Sequence, residues 1–79
     1  MNAMGKLESI SGERDAIMLT PREMDVLELL ARGLSAKEIA LRLLITARTV
    51  EAHIEKLRLK THARNRTHMV VRAIEQGLL

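Results

Sequence analysis

The sequence predicts an all-α fold: a four-helix domain containing a helix-turn-helix. Three observations carry that reading. Apolar residues recur at helical spacing beyond the opening stretch, and no alternating run suits a strand. Residues suited to cap a helix start stand at Thr20, Ser35, Thr46 and Asn65. The second of the implied helices is only about two turns long and lies about three residues from the next, a junction that forces a steep crossing.

Residues 1–18 mix Gly, Ser and charge without sustained periodicity and read as a flexible tail or linker remnant, leaving the domain to residues 19–79. Helix one opens on Thr20-Pro21-Arg22-Glu23. Thr20 suits the N-cap, Pro21 lacks an N–H that the first turn would leave unpaired anyway, and Glu23 sits where its carboxylate reaches back to the cap. Val26, Leu27 and Leu30 form its apolar stripe, supported by Met24 and Ala31, and Gly33 supplies a left-handed stop. Helix two begins with a second capping box, Ser35-Ala36-Lys37-Glu38, and turns Ile39, Ala40 and Leu43 inward. Thr46 then caps helix three. It is expected over about 47–61 with Val50, Ile54 and Leu57 on its core stripe, which puts the helix-turn-helix at about 36–55. Helix four follows Asn65, carries Met69, Val70, Ala73 and Ile74, and ends at Gly77.

Composition narrows the function. The chain has no Cys, which excludes Cys-based zinc fingers, thiol catalysis and iron–sulfur sites. It has no aromatic residue either, so the stacking platforms that hold single-stranded nucleic acid are ruled out. His53, His62 and His68 never stand three or four apart, so no pair is set on one helix face for a metal. Ser9, Ser11 and Ser35 lie in the tail or at a cap, with no convergent His and Asp. No enzyme, metal or cofactor is expected. No window approaches the roughly 18 apolar residues of a membrane span, and a cytoplasmic protein is the simplest expectation.

Charge is unevenly spread. Residues 1–28 carry a net −3, residues 29–55 a net +1 and residues 56–79 a net +5, within an overall +3. An acidic front and a basic back suit one face aimed at a polyanion, most simply nucleic acid, although a solvated helical surface would show the same counts.

Five motifs stand in order: Leu19-Thr20-Pro21-Arg22-Glu23, Lys37-Glu38-Ile39-Ala40, Arg48-Thr49-Val50 with His53, Lys60 with Arg66-Thr67, and Gly77-Leu78. Over Leu19 to Leu79 the chain resembles the DNA-binding domain of the LuxR/FixJ family of bacterial transcription regulators. The resemblance implies double-stranded DNA as partner, with helix three in the major groove and helix four as a dimer contact. It further implies a role in transcription, as a stand-alone regulator or as the output part of a larger one. RNA polymerase is a further candidate partner.

On this frame, Lys37, Thr46, Arg48 and Thr49 are candidate phosphate contacts at the helix N-termini, and Lys56 and Lys60 are drawn from the basic back with Arg58, Arg64 and Arg66. Glu51, Ala52 and Glu55 would meet the bases. Carboxylates there depart from the family's commoner Lys, Arg or small polar residues, yet one can accept from cytosine N4. Leu44 replaces a frequent Gly, and Thr61-His62 replace a frequent Leu-Gly, which leaves the end of helix three open. His68, Val71 and Glu75 are the candidate dimer face, expected to give a weak homodimer strengthened on paired half-sites. Two other readings compete. One is a helix-turn-helix used for protein contact, antagonising a related regulator through helix four, and the other is region four of a sigma factor.

Overall fold

Four capping side chains set the boundaries of four helices. The structure, a computed structural model, describes residues 17–79. The expected tail lies outside the described residues except for Ile17 and Met18. The helices are α1 (Pro21–Ala31), α2 (Ala36–Leu43), α3 (Ala47–Lys60) and α4 (Arg66–Glu75). At each start the cap side chain accepts from a backbone N–H three residues on, those of Glu23, Glu38, Thr49 and His68. Reciprocal capping boxes close on Thr20 and Ser35: the Glu23 and Glu38 carboxylates accept from the cap N–H groups at 2.9 and 2.7 Å. Such caps contribute about 1 kcal/mol each, which matters in helices as short as α2.

The helix ends are equally local. After α1, Gly33 lies at φ 91° while Gly33 N–H donates to Leu30 O and Leu34 N–H to Leu29 O. After α3, His62 does the same work at φ 57°, its N–H donating to Leu59 O and that of Ala63 to Arg58 O. Leu44 ends α2 at φ 59°. Left-handed backbone costs a residue with a Cβ roughly 1–2 kcal/mol, so these two positions hold strain that glycine would relieve.

The core joins all four helices: Val26, Leu27 and Leu29 of α1, Ile39 and Ala40 of α2, Val50, Ile54 and Leu57 of α3, and Met69 and Ala73 of α4, with Ala63 beneath the last turn. Helix α1 touches the three others and so does α3, whereas α2 and α4 do not meet. Two expectations need correction. Leu29, not Leu30, completes the α1 stripe; Leu30 is only partly buried and Ala31 is exposed. Ile74 is 57% exposed rather than core, because α4 packs only on α1 and α3 and its buried face is narrow. Helix three stops at Lys60, with Thr61 as its buried cap; the Thr61 hydroxyl donates to Leu57 O at 2.8 Å. With no aromatic side chain, cohesion rests on packed aliphatics, and truncating Leu27 to Ala should cost about 2–5 kcal/mol.

Candidate nucleic-acid interface

Helices α2 and α3 present their N-termini to solvent through exposed caps, Ser35 and Thr46. The Thr46 hydroxyl accepts from Thr49 N–H at 3.0 Å and donates to Thr49 Oγ1 at 2.9 Å. Both hydrogen-bonding roles of Thr46 are thus met within the turn, while the Thr49 hydroxyl keeps its own proton to donate. Cap bonding to the Ser35 N–H holds the Glu38 carboxyl below the usual carboxylate range.

Helix α3 buries Val50, Ile54 and Leu57 and exposes Arg48, Thr49, Glu51, Ala52, Glu55, Lys56 and Leu59. At about 100° per residue, Arg48, Ala52, Glu55 and Leu59 lie opposite the core, with Glu51 on one flank and Thr49 and Lys56 on the other. The two carboxylates are not bare. Glu51 Oε1 accepts from Arg66 Nη2 at 2.6 Å, across the gap between α3 and α4. Glu55 accepts two bonds from Arg58, at 3.1 Å from Nε and 2.7 Å from Nη2. Those bonds, set against slight burial, hold the Glu55 carboxyl below its ordinary range and push the Arg58 guanidinium up. Arg58 Nη1 also donates to Ala63 O at 3.1 Å, which fastens the loop after α3. Among the described residues, Lys37, Arg42, Arg48 and Lys56 carry their charge without an ion-pair partner.

Lys60, expected as a DNA contact, is held in an ion pair. Its ammonium donates to Glu23 Oε1 at 2.7 Å and to Met18 O at 3.0 Å, tying the end of α3 to the start of α1. Burial pushes the Glu23 carboxyl up, but the bonds from Lys60 and from Thr20 N–H outweigh it and hold the group below its ordinary range.

On α4, Val71 is 44% exposed beside the exposed Ile74 and Glu75. His68 is half-buried, and its Nδ1 accepts from Arg64 N–H at 3.0 Å. Sequence reasoning missed the Arg66–Glu51 and Lys60–Glu23 pairs, whose partners stand 15 and 37 residues apart. The Arg58–Glu55 pair was within reach, since charges three apart meet on a helix. No signal in the pattern pointed to Ile74 as a surface residue. The described residues contain no cluster that could hold a metal and no helix long and apolar enough to cross a membrane.

Comparison with known proteins agrees with this geometry. The GerE family, bacterial regulatory proteins of the luxR family, matches residues 17–73. The chain is 46% identical over 59 residues to the nitrate/nitrite response regulator protein NarL of Escherichia coli K12, covering 75% of this chain and 27% of that protein. It is 44% identical over 63 residues to the probable transcriptional regulator ycf29 of Cyanophora paradoxa, covering 80% and 30%. With the response regulator protein VraR of Staphylococcus aureus Mu3 it shares 40% over 62 residues, covering 78% and 30%. The chain therefore spans under a third of the length of these relatives. Among solved structures, that of the transcription factor GerE superposes with a TM-score of 0.73 at 33% identity, covering 77% of this chain and 91% of that one. Capped helices in this order, a short α2 set against a longer α3, and a family match over most of the described residues agree on one conclusion: the chain belongs to the luxR family of bacterial regulatory proteins, as a helix-turn-helix DNA-binding domain of transcription regulators.

Proposed function

We propose that the domain binds double-stranded DNA with α3 in the major groove. The N-termini of α2 and α3 lie against phosphates, Glu51 and Ala52 face base edges, and Glu55 lies one turn further along with its charge matched by Arg58. The observation that carries this reading is the charge state of α3's outer surface. Its carboxylates are matched by Arg58 and Arg66, while Arg48 and Lys56, with Lys37 of α2, carry no ion pair among the described residues. Thr49 offers a hydroxyl donor beside them, and the exposed backbone N–H groups of the first turns add positive dipole ends. Lys60 is left out of the contact set, since its ammonium is bound to Glu23.

Dimerisation belongs to the same proposal. Val71 and Ile74 are neighbouring exposed apolar residues on α4, flanked by Glu75. A patch of this size supports weak self-association that gains strength when two half-sites on DNA hold two copies together. Contact with RNA polymerase and action in the cytoplasm complete the proposal, as a DNA-bound bacterial transcription regulator would require.

The test is a fluorescence-anisotropy titration of the domain on duplex DNA across salt concentrations. About four neutralised phosphates should give log affinity against log salt a slope of about −4. Binding that ignores salt, or no binding at about 50 mM salt, rejects the proposal and favours a module used for protein contact.

A further inference from the structure

We infer that Arg66 is the positioning residue for base reading by Glu51, and that the group read is a cytosine amino group. The inference rests on the DNA reading above and deepens it. Arg66 is the first residue of α4, and its Nη2 donates to Glu51 Oε1 at 2.6 Å across 15 residues of chain. One carboxylate oxygen is thereby fixed, and Oε2 has no hydrogen-bond partner among the described residues.

Chemistry then selects the base. A carboxylate accepts and cannot donate, so it is repelled by guanine O6 and N7 and by thymine O4. Adenine offers an N6 amino group beside the N7 acceptor, whose lone pair opposes the second oxygen. Cytosine presents only its N4 amino group at that edge of the groove. A bare carboxylate would also be repelled by a duplex carrying one phosphate charge per roughly 1.7 Å. The guanidinium removes that penalty and leaves most of its own N–H donors for a nearby phosphate. Ala52, next to Glu51 on the exposed face, is too short to obstruct the approach.

The pair also has a purely structural explanation. A cation at the first residue of α4 opposes the positive end of that helix, no acid stands in its first turn, and Glu51 supplies the missing negative charge. The two explanations differ in what they move. Both side chains are about half exposed, so the ion pair contributes little to stability, and removing it should leave the domain folded.

The experiment is selection by the 79-residue chain from a duplex library with a randomised centre, followed by anisotropy on the selected duplex and its single-base variants. The wild type should discriminate roughly tenfold or more for cytosine at one position. Both Glu51→Ala, which removes the acceptor, and Arg66→Gln should reduce that discrimination to within about threefold, leave preferences elsewhere intact, and keep the native circular-dichroism melt. Arg66→Lys, which keeps a donor and the charge, should restore most of it. Uniform weakening by Arg66→Gln, with the salt slope reduced by about one and cytosine preference retained, would make Arg66 a phosphate anchor and overturn the inference. Loss of preference at every position would make its role structural, with the same result. A wild type that binds random duplex in a salt-dependent way but selects no cytosine overturns the inference and leaves the DNA reading standing. No binding at about 50 mM salt overturns both.

Discussion

Replacing Lys60 with Met isolates the contact that joins the first helix to the third. The Glu23 side chain is 3% exposed, and its Oε1 accepts 2.7 and 2.9 Å bonds from Lys60 Nζ and Thr20 N–H. Methionine keeps the apolar stem and removes the charge. The carboxylate then stays buried with one backbone donor in place of two. Removing one partner of a fully buried pair costs about 3–5 kcal/mol. Here Lys60 is about a third exposed, so water screens part of the interaction and about 2 kcal/mol is the appropriate magnitude. In a domain of this size each kcal/mol shifts the melting midpoint by about 4–8 °C, so Lys60→Met should melt some 8–16 °C lower near neutral pH. The loss should depend on pH. Glu23 has a folded-state pKa below its unfolded value of 4.5, so it stabilises the fold above that value, and the contribution fades as pH falls through the folded pKa. The gap between wild type and variant should therefore narrow in acid. Urea denaturation followed by circular dichroism from pH 7 to pH 3 measures it. A difference below about 0.5 kcal/mol at pH 7, or one that is the same at both ends, would refute the account of Glu23 as a buried, Lys60-compensated carboxylate.

Four further outcomes are expected. Glu23→Gln, which can still accept from Thr20 N–H, should flatten the acid limb of the wild-type stability curve below about pH 4.5; an unchanged acid limb in urea titrations would assign that limb to other carboxylates. Leu44→Gly should raise stability by about 0.5–1 kcal/mol, since it relieves a φ of 59° at a residue 90% exposed, less the extra freedom of glycine in the unfolded chain; a loss in chemical denaturation would show that the side chain has a stabilising contact. Glu55→Lys adds a cation and frees Arg58, so it should tighten binding to all duplexes alike and steepen the salt slope by one to two contacts; sequence-selective weakening would instead make Glu55 a reader of bases. Val71→Glu and Ile74→Glu should each weaken binding to a paired half-site more than to a single one, and equal losses in anisotropy would remove α4's outer face from dimerisation.

What the sequence made legible was whatever is local. Thr20, Ser35, Thr46 and Asn65 were readable as caps because their partners lie three residues away and only one geometry satisfies the first-turn N–H groups. The stop at Gly33 was readable for the same reason. Leu29 and Leu30 could not be separated, because neighbours 100° apart both fall within the broad apolar arc of an amphipathic helix and the packing partner decides between them. Ile74 was misplaced because its burial depends on whether anything covers the far side of the last helix, which periodicity does not encode. The charges show the limit most clearly. Glu55 and Arg58 share a helix face and betray each other by spacing, whereas Glu51 with Arg66 and Glu23 with Lys60 become neighbours only once the helices cross. The composition of the recognition face was therefore visible in advance, and its electrostatic state was not.

The tie between Lys60 and Glu23 also carries a kinetic consequence. Most contacts in this domain are short in sequence, made within capped helices or between consecutive ones, a pattern that favours folding in microseconds to milliseconds. This ion pair closes a loop of 37 residues and can form only after the intervening helices are in place. It should thus be absent from the folding transition state, with a φ-value near zero. Lys60→Met would then leave the refolding arm of a chevron almost unmoved and speed unfolding by about thirtyfold, the whole of a roughly 2 kcal/mol loss. In this reading the ammonium acts as a latch, setting how long the finished domain stays closed while leaving the speed of its assembly untouched.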